Sequence, residues 1–200
     1  MYFPRKNFLF TLALISVFTS SIAVAQSIDS SKKRLFSIDG KKYDFTVEKF
    51  KASPALEVPP QYADQTTPEN ALLTAFAAMK RGDVKTFKTL NTSERLKLIE
   101  KFLKDSGATD DDLPRIWKRS FERSIFLTHR INYKDSVLLV VQRVKPGESL
   151  PVEETEIGLS RSELFAFVNV NDKWLLTDAR GDPVFCCWYT RTGKPELVLR

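Results

Sequence analysis

The feature that most constrains this chain is a change of hydrophobic period near Ser124. Downstream, IFLTHRINY, SVLLVVQRV, SELFAFVNV, KWLLTDA and PVFCCWYT are five β-rich runs of period two. Tyr133-Lys134-Asp135 links the first two, Asn171-Asp172-Lys173 the third and fourth, and Arg180-Gly181-Asp182-Pro183 the fourth and fifth. Links this short join antiparallel neighbours, because parallel strands need a long crossover. Only KPGESLPVEETEIGLSR, between the second and third runs, is a longer and acidic excursion.

Upstream the spacing is helical. TTPENALLTAFAAMKRGD places Leu72, Ala75, Phe76 and Met79 on one face. Thr67 suits the cap, Pro68 the first helical position, and Glu69 the positive end of the helix dipole. Gly82 can stop this helix in the left-handed conformation, and Asp83 can cap a short successor, VKTFKTL. NTSERLKLIEKFLKDSG gives a third helix with Leu96, Ile99 and Leu103 on one side and Gly107 as its stop. TDDDLPRIWKRSFERS gives a fourth, burying Leu113, Ile116, Trp117 and Phe121. Helices followed by an antiparallel sheet specify an α+β fold, with the helices packed on one face.

Ahead of the helices, RLFSIDGKKYDFTVEKF reads as a β-hairpin turning at Asp39-Gly40, where both central residues accept positive φ. ASPALEVPPQYADQ, with Pro54, Pro59 and Pro60, reads as an arm or linker. The first residues have the pattern of a secretory signal: Arg5 and Lys6, an uncharged apolar stretch from Phe8, then Ala23-Val24-Ala25. Cleavage between Ala25 and Gln26 is expected, and with it export to the periplasm or medium without a stable membrane anchor. The chain then divides into 1–25 signal peptide, 26–66 hairpin and arm, and 67–200 α+β domain. Removing the signal takes two basic residues from a chain of net charge +6, leaving a mild +4. Acids and bases alternate in ERLKLIEK and EKFK, so no basic patch for nucleic acid is present.

TPENALLTAFAAMKRGDVKTFKTL resembles the opening helices of NTF2-like (SnoaL-like) domains, which often begin with a T-P-E-x-A helix ending in a G-D pair. FVNVNDKWLLTDA resembles the paired last strands of that superfamily. The resemblance covers roughly Thr67 to Thr190 and implies a cone: a curved antiparallel sheet wrapped around helices, leaving a cavity. It does not choose among enzymes, ligand binders and association modules, which share the fold.

The candidate site residues follow from that picture. His129, the only histidine, alternates on its strand with Ile125, Leu127, Ile131 and Tyr133. It is either a cavity-lining acid/base or a buried imidazole satisfied by a hydrogen bond. Asp178 alternates with Trp174 and Leu176 on another strand and is the available carboxylate partner. Phe165, Phe167, Trp174 and Trp188 line the implied cavity or form plain core. Asp110-Asp111-Asp112 fits a helix cap better than a cation site, which needs alternating oxygen ligands. Arg180-Gly181-Asp182 reads as a turn before proline, and Asn91-Thr92-Ser93 as a helix start rather than a glycosylation acceptor. No zincin, zinc-ribbon, P-loop or nucleophile-elbow motif occurs, and no cofactor or metal is expected. Cys186 and Cys187 fall on opposite faces of the last strand, and their adjacency, ~3.8 Å between α-carbons, disfavours a disulfide without distortion.

The expected function is a non-catalytic module that binds a small apolar ligand or a protein partner. The alternative is an isomerase or lyase using His129 with Asp178. A third reading is association through the hairpin and arm, with a homodimer formed on an open sheet face.

Overall fold

The computed structural model describes residues 28–38, 41–51, 55–148, 162–178 and 197–198. Four helices, α1 (Pro68–Arg81), α2 (Val84–Thr89), α3 (Ser93–Ser106) and α4 (Leu113–Ser120), begin and end where local chemistry dictates. Thr67 Oγ1 accepts the Asn70 amide at 3.1 Å and Asp83 Oδ1 the Thr86 amide at 3.0 Å. Those bonds satisfy amides that the first helical turn leaves without partners. Gly82 (φ +70°) and Gly107 (φ +66°) close α1 and α3 in the left-handed region. Asp110–Asp112 form a 3-10 turn leading into α4.

The strands are β1 (Ile28–Ile38), β2 (Lys41–Phe50), β3 (Ser124–Tyr133), β4 (Ser136–Val144), β5 (Ser162–Val170), β6 (Lys173–Thr177) and β7 (Leu197–Val198). They form one sheet in the order β6-β5-β4-β3-β2-β1-β7, with every pair antiparallel. The fold is therefore α+β. The two-residue links turn tightly because Lys134, Asn171 and Asp172 accept positive φ (50°, 51° and 61°).

The N-terminal strands are not an appendage. Thr46–Lys49 of β2 pair with His129–Asn132 of β3, so β1 and β2 extend the sheet of the residue 67–200 region. The arm packs too: Val58 is buried in the core, with Leu56 and Tyr62 against it.

The sheet has two unlike faces. On one, Phe50, Ile125, Leu127, Val137, Leu139, Val141, Phe167 and Leu176 join residues of all four helices in a single core. Its centre is Phe76, at 0% exposure, in edge-to-face contact with Phe165 (5.3 Å) and Phe121 (5.9 Å). On the other, Phe45, Ile131, Tyr133, Leu138, Val140 and Ala166 form a second cluster, drawn among the described residues from the strands alone.

One irregularity overturns the alternation expected for β3. Leu127 pairs with Val141, but His129 pairs with the adjacent Val140. Thr128 is the extra residue of a β-bulge, which shifts the alternation by one. Ile125 and Leu127 face the helices, while His129, Ile131 and Tyr133 face away from them. The expected signal segment and its cleavage point, the expected turn at Asp39-Gly40, most of the acidic excursion, the expected link at Arg180–Pro183 and the run bearing Cys186, Cys187 and Trp188 lie outside the described residues.

Candidate functional site

The bulge decides the fate of the acid/base pair. His129 lies on β3, opposite Val140, on the face away from α1 to α4. Trp174 and Leu176 of β6 pair with Asn169 and Phe167, on the helix face. Asp178 follows the end of β6, which stands three strand positions from β3. At ~4.8 Å per strand that is about 14 Å, well beyond hydrogen-bond reach. The structure does not bring His129 and Asp178 together.

His129 is 4% exposed, and its Nδ1 lies 3.1 Å from Thr128 Oγ1. Burial, and then the neighbouring Lys49 ammonium, push its pKa down from 6.5 to about 4. At neutral pH the ring is uncharged, as a buried imidazole should be.

The aromatic candidates act as core. Phe165 rests on Phe76, Phe167 is wholly buried, and Trp174 is half-buried against the same core. These rings and Trp117, which tilts against Phe87 at 4.8 Å, occupy the space between helices and sheet. The acidic triplet is engaged internally. Asp110 meets Lys88 at 2.5 Å, and Asp112 accepts from the Thr109 amide and from Arg115. Asn91 is buried, donating from Nδ2 to the Phe87 carbonyl at 2.6 Å.

Three arrangements were not anticipated from the sequence. Arg130 sits on the helix face between Glu48 of β2 (3.6 Å) and Glu69 of α1 (3.3 Å), with Nε on Asn132 Oδ1 at 2.9 Å. It ties the start of α1 to the sheet. Arg143, nearly buried, lies over the Phe76 and Phe121 rings at 5.4 and 5.9 Å. Its guanidinium donates to Glu163 Oε1 at 2.7 Å and to the Ser120 carbonyl. Both arginines satisfy charges within the fold.

The third is a groove of about 720 Å³ under the proline arm. Residues 55–60 form one wall, residues 121–125 the other, with Lys80 and Pro146 at the ends. Sequence dictates this shape. Pro59 and Pro60 have no amide hydrogens, so the arm cannot join the sheet as a regular strand. It is pinned instead by single bonds. The Leu56 amide donates to the Ile125 carbonyl at 2.6 Å, while Lys80 Nζ and Arg81 Nη1 of α1 donate to the carbonyls of Val58 and Pro60. Leu56, Val58, Phe121 and Ile125 make the lining largely apolar, with Glu57, Lys80, Glu122 and Arg123 supplying both signs of charge. The three prolines were the only signal in the sequence that this stretch could stand apart from the sheet.

Comparison with family models, with curated proteins and with solved structures gives no match to this chain.

Proposed function

We infer that the chain is an exported, non-catalytic binding module, and that its ligand is held in the groove under the proline arm. The observation that carries this reading is the groove itself. It has the volume and the mostly apolar lining, with a few charged groups, that small-molecule sites share. The NTF2-like resemblance implies helices ahead of a curved sheet with a cavity between them. In this chain Phe76, Phe165, Phe167 and Trp117 occupy that interior, which favours a site at the margin. The separation of His129 from Asp178 weighs against the isomerase or lyase alternative. Burial of the second sheet face weighs against a dimer formed there.

A fragment screen by NMR on the purified protein tests the proposal. Small apolar carboxylates and amines should shift amide resonances of residues 55–58 and 121–125, and Phe121→Ala should weaken binding about tenfold. Shifts clustered elsewhere, or none at all, would remove the groove as the site.

A further inference from the structure

The groove under the proline arm combines its apolar lining with main-chain groups that the fold leaves unpaired. β2 covers β3 from His129 to Asn132. Ahead of that stretch, Ser124–Leu127 of β3 pair with β4 on one side. On the other side they meet the arm, and among the described residues a lone backbone bond joins the two, from the Leu56 amide to the Ile125 carbonyl. Beyond that bond the two stretches part around the groove. The Leu56 carbonyl, the Val58 amide and both main-chain groups of Arg123 make no hydrogen bond to another described residue. All three residues line the groove.

A ligand suited to such walls offers apolar groups together with both hydrogen-bond donors and acceptors. A hydrocarbon chain offers the first alone. An extended peptide offers both, since its amides and carbonyls alternate along the chain while its side chains fill pockets to either side. The dimensions agree. Residues 55–60 and 121–125 can flank four or five extended residues, about 13–17 Å at ~3.3 Å each. The charges agree as well. Glu57, Lys80, Glu122 and Arg123 are exposed, and none takes part in an ion pair with another described residue. Two acids and two bases sum to zero, so the groove has no net charge to select a phosphate or an anionic lipid headgroup. It offers counter-charges of both signs, which suits the mixed side chains of a polypeptide.

Resting on the groove as the binding site, we propose that its ligand is a polypeptide segment of four or five residues, bound in extended form. Its backbone bonds to Leu56 and Val58 on the arm and to Arg123 on the opposite wall. The segment lies where β2 would run if it continued along β3 past the bond to Ile125.

The test is an NMR titration of the purified protein with a library of pentapeptides that alternate apolar and charged residues. The best binders should shift the amide resonances of residues 55–58 and 121–125, and slow hydrogen exchange at the Val58 and Arg123 amides about fivefold or more. Replacing the central amides of a binding peptide with esters removes donors while keeping its shape, and should weaken binding about tenfold. If small apolar fragments bind in the groove and no peptide does, the groove stands as a small-molecule site and the peptide proposal falls. Equal binding of the amide and ester forms, unchanged exchange at both amides, or peptide-induced shifts clustered elsewhere would also overturn it. Should neither fragments nor peptides bind there, the groove itself is lost as the site, and this inference with it.

Discussion

The two faces of the sheet reach the same degree of burial by different means. The helix face is covered by elements whose own sequences announce them: capped, glycine-terminated helices with apolar stripes. The second face is buried although, among the described residues, its cluster is drawn from the strands alone. The first kind of burial is encoded locally in both partners. The second is legible, among the described residues, in the strands themselves. β4 shows this within five residues, since Val137, Leu139 and Val141 face the helices while Leu138 and Val140 face away. A strand apolar on both sides requires two covers, however few helices the sequence supplies.

The largest effects should come from emptying either face. Phe76→Ala should lower the free energy of unfolding by about 4 kcal/mol, and Leu138→Ala by about 3, in urea titrations monitored by circular dichroism. The comparison breaks if Leu138→Ala costs less than about 1 kcal/mol, the cost expected of a site open to water.

His129 sharpens the same contrast through pH. Its folded pKa, about 4, lies below the ordinary 6.5, so between these values the unfolded chain binds a proton that the folded chain refuses. Stability should therefore decline as pH falls from 6.5 to 4, by up to about 3 kcal/mol in all. His129→Leu should flatten the dependence in urea titrations at pH 7, 5.5 and 4.5. Equal slopes in both proteins would show that the second face does not exclude water from the imidazole.

Smaller effects belong to the helix layer. Gly82 holds φ +70°, and a β-carbon there would meet the Pro114 β-carbon at 3.2 Å. Gly82→Ala should cost about 1–2 kcal/mol, visible as a lowered thermal midpoint. Lys101→Ala removes an exposed pair with Asp105 and should cost about 0.3 kcal/mol, vanishing in high salt.

What could be read from the sequence follows the same division. The caps at Thr67 and Asp83, the stops at Gly82 and Gly107 and the tight links at Lys134 and Asn171-Asp172 are local events, and each stands where the residues call for it. The bulge at Thr128 leaves no local mark, since Thr-His-Arg is compatible with unbroken alternation. Missing it put His129 on the wrong face and made its pairing with Asp178 look attainable. The union of β2 with β3 joins residues some eighty positions apart, and no periodicity within either strand encodes it. The groove was hidden for the same reason, since its two walls, residues 55–60 and 121–125, come from distant stretches of chain.

The outer edge of β6 carries a last consequence. Its Trp174 and Leu176 amides donate to the carbonyls of Gln65 and Leu90, and the Leu176 carbonyl accepts from Thr92. Those three groups would otherwise template the addition of a strand from another molecule. With them occupied, this margin of an apolar sheet is closed to fibre growth. The protection comes from the coil segments before α1 and α3, and it lasts as long as those helices stay docked.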